Sequence, residues 1–118
     1  MNAVSPEPLV LHVLVRTSST GIEVHCLELD HVTEALTREQ ALSDLVDLVR
    51  AQFVVARREK DLDNLFFPAP AEDWRALARA RLVGSRLVDL HDTTDASDGP
   101  PIPVAATGLK LQEFAVDS

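Results

Sequence analysis

The sequence predicts an α+β fold: a small antiparallel sheet in β-β-β-α-(α)-β order, packed on one long amphipathic helix, with an extended C-terminal arm. Three observations carry this expectation. Two segments, starting at Leu9 and Ile22, alternate apolar and polar residues with a period of two, as half-buried strands do. The run Thr17-Ser18-Ser19-Thr20-Gly21 between them is turn chemistry. Beyond Thr37 the apolar spacing changes to that of a helix face.

Residues 1–8 read as a loose start, because Pro6 and Pro8 oppose regular structure. In the first strand Leu9, Leu11, Val13 and Val15 alternate with Val10, His12, Leu14 and Arg16. In the second, Ile22, Val24 and Cys26 alternate with Glu23, His25 and Leu27. Placing both apolar sets on one side of the hairpin requires opposed residue numbers with an odd sum. A sum of about 39 sets Arg16 across from Glu23, and a sum of about 37 sets His12 across from His25. The first is preferred, since opposite charges paired across strands are mildly stabilising. Leu27 and Leu29 fall out of phase with Ile22 and Val24, which suggests a bulge near Cys26. A third short strand is expected at His31–Ala35.

The helix opens with Thr37 and Gln40 in the spacing of a capping box. Ala41, Leu42, Leu45, Leu48, Val49, Phe53 and Ala56 then trace one face, with Asp44, Asp47, Arg50 and Arg57 mostly off it. Arg57, Arg58 and Lys60 sit where positive charge complements the helix C-terminus. Residues 61–70 read as a loop carrying Leu65, Phe66 and Phe67. A second helix is expected from Pro70 or Ala71, with Glu72 and Asp73 in its first turn. Its apolar set is Trp74, Leu77, Ala78 and Leu82, and Gly84 is the expected stop. This gives a domain over residues 1–90, a Pro/Ser/Asp/Gly-rich linker over 91–103, and a C-terminal strand or arm over 104–118 built on Leu109, Leu111, Phe114 and Val116. The tail either folds back as an extra strand or docks on a neighbouring subunit.

Composition narrows the function classes. The 118 residues suffice for one core, and 46% are hydrophobic. Mean hydropathy is near zero at +0.03. Eleven basic against nineteen acidic residues leave a net charge of −8, which argues against nucleic-acid binding through phosphates and favours a basic macromolecular partner. A single cysteine, Cys26, forms no internal disulfide, and a reducing cytoplasm is the expected location. No apolar run reaches the roughly 18 to 20 residues of a membrane span, and no signal-peptide pattern opens the chain.

Three motifs resemble the HicB-like antitoxin family over roughly residues 9–56. Cys26-Leu27-Glu28-Leu29-Asp30 is similar to that family's Cys-Leu-Asp-Leu strand end, and His31-Val32-Thr33 to its short following strand. Thr37-Arg38-Glu39-Gln40-Ala41-Leu42 resembles its Thr-Leu-Glu-Glu-Ala helix start. The resemblance implies a β-β-β-α-β module that oligomerises and neutralises a small basic toxin ribonuclease of HicA type. Two departures stand out. Asp30-His31 replaces the usual Pro-Gly turn, and the C-terminal part reads as linker plus strand where many relatives carry a DNA-binding unit. Operator binding is not expected.

Residues capable of chemistry are scattered. His12, His25, His31 and Cys26 include zinc-ligand types but no paired-ligand spacing, and His25 and Cys26 are strand neighbours that point to opposite faces. Asp61-Leu62-Asp63-Asn64 lacks the central Gly and terminal Glu of a calcium loop. Ser85 beside Gly84 lacks the second Gly of a nucleophile elbow and reads as a turn. Arg75, Arg79, Arg81 and Arg86 form the one positive concentration, which reads as arginine stems covering a surface helix. No catalytic, cofactor or metal residue is therefore assigned.

The assigned residues are for partner binding: Val10, His12, Leu14 and Leu27, on the second side of the hairpin. Apolar groups there imply a cover, which is the tail, another subunit, a partner or the chain's own second helix. The expected function is a non-enzymatic, self-associating protein-binding module of antitoxin type. The alternative is an oligomeric scaffold that kept the module without a toxin.

Overall fold

A computed structural model describes residues 9–89 and 108–116. The loose start at 1–8, the linker at 91–103 and residues 104–107 of the C-terminal arm lie outside the described residues. Five strands and two helices occur in the order β1 (Leu9–Ser18), β2 (Gly21–Cys26), β3 (His31–Ala35), α1 (Arg38–Arg58), α2 (Ala71–Arg79), β4 (Arg81–Asp89) and β5 (Gly108–Ala115). They form an α+β fold with one sheet in the spatial order β3-β2-β1-β5-β4.

The hairpin forms with opposed residue numbers summing to 39: Val13 faces Cys26, and Arg16 faces Glu23. Arg16 and Glu23 approach to 3.6 Å. The predicted third strand is β3, antiparallel to β2. The phase change comes later than Cys26. Leu27 keeps step on the second face, whereas Leu29 has crossed to the first, so the strand ends in a turn without a bulge. That turn includes Asp30 in the left-handed region, at φ 54°.

Thr37 caps α1 by accepting the backbone N–H of Gln40 on its hydroxyl, 3.1 Å away. The reciprocal half of the expected capping box is replaced, because the Gln40 amide reaches forward to Asp44 at 2.9 Å. Ala41, Leu42, Leu45, Val49, Phe53 and Ala56 are buried. All but Ala56 join Leu11, Val13, Val24, Cys26, Leu109 and Leu111 in the main core. Each buried leucine contributes about 1.5–3 kcal/mol through lost water contact.

Two further features differ from the expected antiparallel sheet and longer second helix. The second helix starts at Ala71 as predicted but ends at Arg79, where Ala80 turns extended at ψ 164°. Leu82 and Gly84, read as helix face and stop, belong to β4, and Ser85 lies on a strand where a turn was expected. The tail folds back as β5 and sits inside the sheet, antiparallel to β4 and parallel to β1. The sheet is thus mixed. The loop after α1 also contains a 3-10 turn at Leu62–Leu65.

Candidate partner-binding face

The residues assigned to partner binding all lie on the side of the sheet opposite α1, and the structure divides them. Leu14 and Leu27 are wholly buried, in a second cluster with Ala69 against Trp74, Ala76, Leu77 and Phe114. Of the covers considered, two are found together: α2 of the same chain, and the tail through Phe114 and Val116. No residue of α2 is itself fully buried, so it lies on this face as a half-sunken lid. Backbone bonds from Phe67 to Glu28 (3.1 Å) and from Ala69 to Leu27 (2.8 Å) bring the chain across the sheet just before α2. The Trp74 indole donates to the Ala69 carbonyl at 3.1 Å, and Arg16 reaches Asp73 at 3.0 Å.

Val10 and His12 remain accessible. Val10 is 38% exposed, and the His12 side chain is 31% exposed. His12 is held from three directions. Its ring stacks on Phe114 with centroids 5.9 Å apart, and Trp74 meets it edge-on at 6.2 Å. Its Nδ1 lies 2.6 Å from Glu28 Oε2, while its backbone N–H donates to Glu28 Oε1 at 2.8 Å. A carboxylate accepts, so Nδ1 is the donor in this contact and Nε2 is the ring nitrogen left for another group. Chemically, this is an oriented imidazole with one ring nitrogen free to hydrogen-bond a partner. Sequence reading found His12 by its position on the second face. It missed Glu28, which follows the strand end and gave no periodic signal.

The other chemistry-bearing residues stay apart. His25 is buried on the α2 side and meets Asp30 at 2.7 Å through Nε2. Cys26 faces the α1 side, and its thiol is pushed up to about 12, first by burial and then by the nearby Glu28 charge. Asp61 bonds Asn64 within the 3-10 turn. The arginines are divided between α2 and β4, with Arg86 bonded to Glu39 of α1. Among the described residues no three His, Cys, Asp or Glu converge on a metal position, and no helix is long and apolar enough to cross a membrane.

Comparisons of the chain with protein-family models, with curated proteins and with solved structures returned no match.

Proposed function

We propose that this protein is a non-enzymatic binding module of HicB-like antitoxin type, which neutralises a small basic toxin ribonuclease and self-associates in the cytoplasm. The observation that carries the reading is the run β1-β2-β3-α1. It has the element order of the module that the sequence resembles, with the third strand and the Thr37 cap at the matching residues. Net charge supports it, since −8 on a chain of this size attracts a basic protein and repels nucleic acid. Val10 and His12 are the contacts available to the partner, and Leu14 and Leu27 support them from beneath.

The second reading is an oligomeric scaffold without a toxin. It is favoured by the cover that α2 provides, which removes Leu14 and Leu27 from the accessible face. Co-expression with the small basic product of an adjacent gene separates the two. The antitoxin reading expects a complex that co-purifies and relieves growth arrest, and expects Val10→Arg to weaken that complex. A toxin that remains active and unbound beside the folded protein leaves the scaffold.

A further inference from the structure

We infer that the outer edge of β4 is the surface through which two copies of this chain associate, joining two five-stranded sheets into one. The inference deepens the self-association part of the proposed function and is independent of any toxin. Among the described residues β4 ends the sheet, so one side of its nine-residue backbone has no strand neighbour there. Such an edge is a template for another strand unless it is short, charged, bulged or interrupted by proline. The opposite edge, β3, has five residues, and the glutamate at its position 34 is engaged by the Ser18 and Thr20 hydroxyls. In β4 no proline intervenes, and the irregularity lies toward one end, between Leu82 and Gly84. Arg81 and Asp89 stand only at the two ends, and the Arg86 side chain is held by Glu39 of α1.

The pattern along β4 identifies the occupant. The irregularity between Leu82 and Gly84 removes one residue from the ladder. Counted on the β5 partners, Leu82 pairs with Phe114, Ser85 with Gln112 and Leu87 with Lys110. Leu82 and Leu87 are therefore equidistant from Ser85, despite unequal spacing in sequence. They also share a face, since Phe114 and Lys110 pair with Leu14 and Val10 on the α2 side. They are 56% and 74% exposed. A two-fold axis through Ser85 then sets Leu82 of one copy against Leu87 of the other, at both ends of the joint. It also sets Gly84 opposite Arg86, where the missing side chain leaves the Arg86–Glu39 bond undisturbed. Antiparallel pairing keeps the two Arg81 residues at opposite ends and brings each toward the Asp89 end of the other strand. An isologous interface needs this self-complementarity, in which residue i meets j and j meets i.

Light scattering and sedimentation on the full chain are expected to show a dimer. The variant Leu82→Lys/Leu87→Lys is expected to raise its dissociation constant on the order of a hundredfold, as loss of central apolar anchors does. Both leucines are exposed in the single chain, and circular dichroism with thermal unfolding checks that the variant is folded. Ser85→Cys is expected to cross-link between copies with a short bismaleimide, because Cys26 is buried. A wild-type monomer at high micromolar concentration would overturn self-association altogether. A dimer that survives the double lysine variant, or that gives no cross-link at Ser85→Cys, would overturn the β4 surface and leave self-association standing.

Discussion

Glu28 grips His12 twice, taking the ring Nδ1–H at 2.6 Å and the backbone N–H at 2.8 Å. Just beyond the end of β2 the Leu27 N–H still donates to the His12 carbonyl at 2.9 Å, while the Leu27 carbonyl accepts from Ala69. The Glu28 side chain thus takes that carbonyl's place opposite the His12 N–H. Glu28→Gln is expected to cost about 1–2 kcal/mol, because the charge-assisted bonds are lost and the ring must change tautomer to accept from the Gln amide. A double-mutant cycle with His12→Ala, followed by urea unfolding, is expected to give a coupling of about 1 kcal/mol. Additive losses would show that the pair acts independently.

Cys26 predicts an alkaline weakness. In the folded chain its thiol is raised from 9.0 to about 12, while in the unfolded chain it ionises near its ordinary value. Between pH 9 and 12 the unfolded state has released the proton and the folded state still binds it. Stability is therefore fully present below pH 9 and falls by about 1.4 kcal/mol per pH unit across that window. Cys26→Ala is expected to flatten this part of the profile. Native protein is also expected to resist thiol alkylation at pH 8 until denaturant is added.

Gly21 closes the hairpin where β3 crosses nearby. A Cβ at this position would run into the carbonyl oxygen of Ala35, which is backbone and cannot swing away. Gly21→Ala is expected to destabilise by more than about 2 kcal/mol, above the common range for surface sites. Hydrogen exchange is expected to quicken first in β3, whose Ala35 pairs with Ile22.

The two apolar layers are expected to respond differently to truncation. Leu45→Ala, in the main core, should cost about 2–5 kcal/mol and lower the whole unfolding transition. Leu14→Ala, under a helix with no fully buried residue, should release α2 locally. Exchange protection over Ala71–Arg79 would then be lost before that of the sheet.

Much of the fold was legible because its signals are local. The Arg16–Glu23 pair selected the hairpin register, and the Thr37 cap and its following stripe located α1. β4 was illegible for a physical reason. Leu82 continues the helical spacing of Trp74 and Ala78, so the sequence favours one longer helix and offers Gly84 as its end. The strand instead follows from pairing with β5, a tertiary contact that overrides local preference. The parallel β1–β5 pairing was equally hidden, since nothing near Leu9 announces Leu109. On the candidate face, alternation located Val10, His12, Leu14 and Leu27 on one side. It could not weigh α2 against an outside cover, because the closing contacts come from Ala69 and Trp74, far along the chain.

Leu9 pairs with Leu109, one hundred residues away, and this governs how the molecule assembles. During synthesis the hairpin and α1 emerge early, but the outer flank of β1 lacks its β5 neighbour until residues 108–115 leave the ribosome. That raw flank must wait through the interval, and closing so wide a loop slows the final step. A chain interrupted after residue 89 would hold it open to any passing strand.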